Sequence, residues 1–160
     1  MDATFTAEEH FRRGEEALEA EHFDSALGHF RAAHRLDGMS PRYRSFYGLA
    51  LGLAERRLDR ALELCRSAAK EEFFCPEHYH NLARLHLAFG FKAEAIRYLR
   101  RGLMIDPNND AICEEIRELG VRRRPPLAFL RRRALPNRWL GRILGRSGMT
   151  TEPELTPFGI

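Results

Sequence analysis

Seven histidines and three cysteines are the side chains of this 160-residue sequence best suited to hold a metal or act as a nucleophile. His78, His80 and His86 fall on one predicted helix at i, i+2 and i+8, a spacing that does not converge on a single ion. Cys75-x-x-His78 has the spacing of half a metal site. Structural zinc takes four ligands in closely paired positions, and no second pair accompanies this one, so neither a metal site nor a cofactor is expected. Cys65 and Cys113 lie on apolar helical faces and read as small core residues. No Gly-rich phosphate loop, nucleophile elbow or paired-carboxylate motif occurs in the sequence. No catalytic residue is therefore assigned, and an enzyme is not expected.

The elements that carry these residues must be built from a composition of 44% apolar and 31% charged residues, with 11 Phe and 4 Tyr. That is enough apolar material for a core and argues against a disordered chain. The longest uncharged apolar stretch, Phe46 to Ala54, is far short of the roughly 20 residues a membrane span needs. Met1, Asp2, Ala3 and Thr4, followed by Glu8 and Glu9, show neither a basic nor an apolar leader region, so no secretory signal is expected. An odd number of scattered cysteines argues against a disulfide framework, and a cytoplasmic location is the expectation. Charge is divided unevenly. Residues 1–121 hold 17 Lys+Arg against 21 Asp+Glu, a net −4, whereas residues 122–160 hold 9 Arg against 2 Glu, a net +7. A basic extension on an acidic body points to an interaction segment.

Three series of small residues recur along the body. Ala26, Ala61 and Ala95 are spaced by 35 and 34; Ala33, Ala68 and Gly102 repeat that interval; Gly14, Gly48 and Ala83 follow at 34 and 35. Phe30, Cys65 and Leu99 stand four residues after each anchor alanine. Within each period the apolar positions trace one helical face, as in Ala26, Leu27, Phe30, Ala33 and Leu36. A further helical stretch precedes each, at about 5–20, 41–55 and 76–90. Asp37-Gly38-Met39-Ser40-Pro41, Cys75-Pro76 and Asp106-Pro107-Asn108-Asn109 separate the units, with Pro41 and Pro76 suited to first helical turns. The spacing predicts three helix-turn-helix units with a period near 34.

This arrangement resembles the tetratricopeptide repeat (TPR) family. Tyr47-Gly48 with Leu51, and Leu82-Ala83 with His86, fit the family's first helix. Ala26–Phe30–Ala33 and Ala95–Leu99–Gly102 with Pro107 fit its second. Arg13 departs from the apolar residue usual there, Phe73 replaces a terminal Pro, and repeat 2 has one extra residue between Leu51 and Ala61. The resemblance implies an all-α, right-handed α-solenoid with repeats at about 7–40, 41–75 and 76–109. Residues 110–120, with Ala111, Ile112, Ile116 and Leu119 on one face, form a capping helix that covers the last repeat's exposed core.

The resemblance also implies a concave groove lined by the first helix of each repeat. Carried onto this sequence, its positions are Glu8, Phe11, Arg12 and Glu15; then Arg42, Ser45, Phe46, Leu49 and Gly52; then Glu77, His80, Asn81, Arg84 and Leu87; and Glu114 and Glu118 on the capping helix. Glu8 and Glu15 occupy places where the family's carboxylate clamp has cations and amides, which disfavours binding of a chaperone C-terminus. Asn81 and Arg84 form the one clamp-like pair. The groove is expected to be mixed, with acidic ends, central Arg, His and Asn, and an apolar floor, suiting a peptide of alternating apolar and charged residues.

In the extension, Asn137 reads as the N-cap of a short amphipathic helix near 137–146. Trp139, Leu140, Ile143 and Leu144 share one face, while Arg138, Arg142 and Arg146 share another. Arg131, Arg132 and Arg133 precede it. Packing of Leu127, Phe129, Leu130, Trp139, Leu140 and Ile143 onto the body is the first expectation, because such residues are costly to leave in water. Resting on an anionic membrane through Arg131–Arg133, Arg138, Trp139 and Arg142 is the second, and would place the protein at the inner face of a membrane. Nucleic acid is disfavoured, since the body is acidic and no known binding module is present. The opposite charges also allow the tail to cover Glu15, Glu114 and Glu118. The expectation is a non-catalytic, bacterial-type adapter for a protein or peptide ligand. A secretion-type TPR chaperone and a peripheral membrane tether are the alternatives.

Overall fold

The computed structural model describes residues 5–120, and within them the chain forms seven helices and no strand: α1 (Ala7–Glu19), α2 (Phe23–Leu36), α3 (Pro41–Ala54), α4 (Leu58–Glu71), α5 (Pro76–Ala88), α6 (Lys92–Ile105) and α7 (Asp110–Glu118). The helix expected near 137–146 and the tail positions Arg131, Arg132, Arg133, Arg138, Trp139 and Arg142 lie outside the described residues. No helix among the described residues is long and apolar enough to cross a membrane.

Local chemistry sets the helix starts. Thr6 and Glu9 form a capping box: the Glu9 amide donates to Thr6 Oγ1 at 3.2 Å and the Thr6 amide to Glu9 Oε2 at 2.6 Å. Ser40 Oγ accepts from the Tyr43 amide, and Pro41 and Pro76 each open a helix where a missing N–H leaves nothing unpaired. Before α7, Asn109 Oδ1 accepts from the Ile112 amide at 3.1 Å. Inside each hairpin the turn passes through one left-handed residue: Glu21 at φ 57°, Arg56 at φ 57° and Gly90 at φ 83°. These are equivalent positions, and only the third is a glycine.

The helices pair as α1 with α2, α3 with α4 and α5 with α6, and successive pairs stack through α2 on α3 and α4 on α5. α3 also packs directly on α5, whereas neither α2 with α4 nor α4 with α6 makes a comparable contact. Among the first helices the direct packing is that of α3 on α5, while α1 meets α3 through side chains: the Tyr43 hydroxyl donates to Glu8, and the Phe11 and Tyr43 rings stand 5.2 Å apart. Ala26, Ala61 and Ala95 are each completely buried, as are Ala33, Ala68 and Ala83. A Cβ on Gly14 would stand 2.6 Å from Phe30, one on Gly48 would stand 3.0 Å from the Ala61 carbonyl oxygen, and one on Gly102 would stand 2.6 Å from Ile112. The extra residue of repeat 2 is absorbed as added length in α3, leaving the short turn of the other hairpins intact.

Larger side chains fill the flanks. Phe11, Phe30, Tyr43 and Phe46 form an aromatic cluster across the first two hairpins, with ring centroids 4.9–5.4 Å apart. Ile112, fully buried, brings α7 over Gly102. Arg13, unusual at its position, lays its guanidinium 3.6 Å above the Phe5 ring. Two histidines take the place of apolar residues: His34 stacks on Tyr47 at 5.5 Å and His86 on Tyr98 at 5.2 Å. His34 Nδ1 and both His86 ring nitrogens are buried without a partner.

Two expectations follow from this packing. Ala61 is wedged beneath Gly48 and Gly52, so Ala61→Leu should cost about 1–3 kcal/mol and lower the melting temperature by several degrees; an unchanged melt would contradict the register. Burial holds His34 and His86 below the ordinary histidine range near 6.5. The unfolded chain then binds more protons in mild acid, so stability is present at neutral pH and is lost as pH falls below about 6.5. Urea unfolding at about pH 7.5 and about pH 5.5, a window above the carboxylate range, should show the loss, and His86→Leu should reduce it.

Candidate functional site

The inner wall is built from α1, α3 and α5, with α7 beyond them. At the α1/α3 end, Arg42 lies 3.5 Å from Glu8, 3.8 Å from Glu15 and 4.0 Å above the Phe11 ring. The Tyr43 hydroxyl donates to Glu8 at 2.8 Å. Partial burial raises the Glu15 carboxyl above its ordinary range, against the pull of Arg42. Arg12 pairs with Glu16 one turn along α1. The acidic end is thus already partly neutralised by a cation from the neighbouring repeat.

At the α5/α7 end, His80 Nε2 sits 2.5 Å from Glu115 Oε2. Arg84 is half-buried nearby: desolvation draws its guanidinium below its ordinary range, and the charge of Glu115 opposes that shift. Leu87 and Phe46 are half-buried, and Glu77, Glu114 and Glu118 are exposed. Glu115 carries the carboxylate of α7 that meets α5, a residue missed in the sequence because Glu114 and Glu118 occupied the expected groove positions.

Five expected wall residues belong instead to the core. Phe11, Ser45 and Leu49 are completely buried, Asn81 is 2% exposed, and Gly52 is buried where Leu85 fills the space a side chain would need. For Phe11 and Leu49 the reason is burial of apolar area in the inter-repeat packing. For Ser45 and Asn81 it is their bond: Asn81 Nδ2 donates to Ser45 Oγ at 3.1 Å, tying α5 to α3. The Ser45 carbonyl also accepts from the Cys65 thiol at 3.2 Å, which extends the tie to α4. Asn81 and Arg84 therefore do not form a clamp; one is a core staple and the other is half-buried within the electrostatic reach of Glu115.

Cys65 is a buried core residue, its thiol pushed up to about 12 by desolvation. Cys75 and His78, expected to lack partners, have one. The turn between α4 and α5 brings Glu72 to them, with ligand atoms of the three residues all within 4.8 Å. Glu72-x-x-Cys75-x-x-His78 has a regular spacing of three, and that was the available signal. Burial, then the neighbouring Glu77 carboxylate, push the Cys75 thiol up to about 12.

No protein-family model matches the sequence, and no curated protein is significantly similar to it. Solved structures are similar. The first TPR of Spaghetti (RPAP3), bound to the HSP90 peptide SRMEEVD, matches with a TM-score of 0.56 at 18% identity, covering 72% of this chain and 93% of that one. The TPR domain of Arabidopsis OM64 matches with a TM-score of 0.55 at 18% identity, covering 71% and 93%. The helices and their equivalent small residues define a helical-repeat solenoid, and the fold is that of TPR domains.

Removing one end of the buried staple leaves the other unsatisfied. Asn81→Ala should destabilise the protein by about 1–3 kcal/mol. Adding Ser45→Ala should recover part of that loss, which unfolding of the two single variants and the double variant would measure as a coupling.

Proposed function

We propose that the protein is a non-catalytic adapter that binds a polypeptide segment along the wall of α1, α3 and α5. The observation that supports this reading is that the first helices of the three repeats are joined in series, with α3 packed on α5 and Arg42 and Tyr43 of α3 reaching Glu8 of α1. A peptide-bound TPR among the similar structures supports it.

The electrostatics favour a mixed ligand. An acidic residue at the α1/α3 end would face Glu8 and Glu15, whose countercharge Arg42 is already engaged with both. A basic or polar residue fits there, and an acidic one fits beside Arg84. Phe46 and Leu87 offer apolar contact between them. This argues for an internal segment of alternating apolar and charged residues rather than an acidic C-terminus.

Affinity capture from native lysate with the full-length chain, followed by a peptide scan of the captured partner, tests the reading. Arg84→Gln should weaken binding about tenfold or more, equivalent to about 1.4 kcal/mol, while leaving the melt unchanged. Arg100→Glu, on the exposed face of α6, should bind like wild type. Equal loss in both variants, or none in either, would remove the wall from consideration. Recovery of a single exported client would instead favour the secretion-type chaperone.

A further inference from the structure

The turn from α4 to α5 is firmly built. The Cys75 amide donates to the Glu72 carbonyl at 3.2 Å, and the Tyr79 hydroxyl donates to the Phe73 carbonyl at 3.2 Å. At its base His78 is completely buried, with Nε2 3.1 Å from Glu72 Oε2 and Nδ1 left without a partner. Glu72, Cys75 and His78 each bring one ligand atom to the same place, all within 4.8 Å of one another. Glu72 is exposed and Cys75 half-buried, so the cluster is accessible from solvent. We propose that Glu72, Cys75 and His78 form a binding site for a divalent transition metal of the zinc class.

The chemistry of the donors selects that class. A thiolate, an imidazole and a carboxylate are all zinc ligands, at about 2.3, 2.0–2.1 and 2.0–2.2 Å respectively. Calcium and magnesium prefer all-oxygen sets, which a thiol and an imidazole do not provide. Ligand atoms of such a tetrahedral site stand roughly 3–4 Å apart, so the cluster needs only a small contraction, available by rotation of the exposed Glu72 side chain. Glu77 Oε2, 2.9 Å from Cys75 Sγ, is placed to supply a further oxygen. On binding, the thiol S–H bond breaks, its proton goes to solvent and the sulfur bonds the metal.

Cobalt titrated into the full-length, tag-free, reduced and chelator-stripped protein tests the site. One equivalent should produce a thiolate-to-cobalt charge-transfer band in the near ultraviolet, and zinc should abolish it. Cys75→Ser should remove the band. Glu72→Gln, at an exposed position that does not threaten folding, should weaken cobalt binding about tenfold or more, since even supporting partners of metal ligands contribute that much. Cys113→Ser should leave the band unchanged, and circular dichroism confirms that each variant is folded. Absence of a band in the wild type, or a band unaltered by Cys75→Ser or Glu72→Gln, overturns the proposal.

Discussion

Each hairpin depends on one point where a residue without bulk lets two helix backbones meet. In the central repeat that point is Ala61, covered by Gly48 and Gly52 of the facing helix. The close approach gains dispersion contacts along both helices, because each bulky neighbour then reaches across the crossing into a filled layer. Gly14 over Phe30 and Gly102 over Ile112 repeat the device with an aromatic and a branched side chain. The same solution therefore serves within hairpins and between the last hairpin and its cap.

Because the small residues fix the crossings, the flanks must be filled at fixed volume, and this explains the histidines. His34 and His86 lie flat against Tyr47 and Tyr98, where a planar ring of moderate size fits. Stacking favours the ring, but burial leaves nitrogens unpartnered. The same burial disfavours the charged form of both imidazoles. A packing choice at the crossing thereby becomes a pH dependence of the whole fold.

The crossings were legible because glycine and alanine at intervals of 34 and 35 have no simpler reading, and Pro41, Pro76 and Asp106-Pro107 marked the boundaries. Thr6 with Glu9 was equally readable as a capping box. The left-handed turns at Glu21 and Arg56 were not, since neither residue is a glycine and only Gly90 signals that conformation. The wall was legible as a set of helix positions but not in depth. Helical periodicity places Ser45, Leu49, Asn81 and Arg84 on one side of their helices without stating where the neighbouring repeat ends that side. Packing of α3 directly on α5 moved the first three inside and left Arg84 at the margin. Glu72 escaped notice because the spacing of three across the turn brings its side chain to Cys75 and His78 only through the path the turn takes, which the sequence does not show.

The depth of the wall bears on how a ligand would be recognised. Ser45 and Asn81 are buried and bonded to each other beneath the surface, so they tie α3 to α5 rather than face a guest. Arg42 is different: its ion pairs are exposed and each is worth only about 0–1 kcal/mol, so a guest carboxylate that displaced Glu8 would gain almost nothing net and would meet Glu15 besides. Arg84 has shed more water already, and further burial of it against a guest acid carries less additional desolvation. On the proposed adapter reading the discriminating contact belongs to Arg84, the half-buried cation of α5, whereas the exposed pairs of Arg42 add little to either ligand or fold.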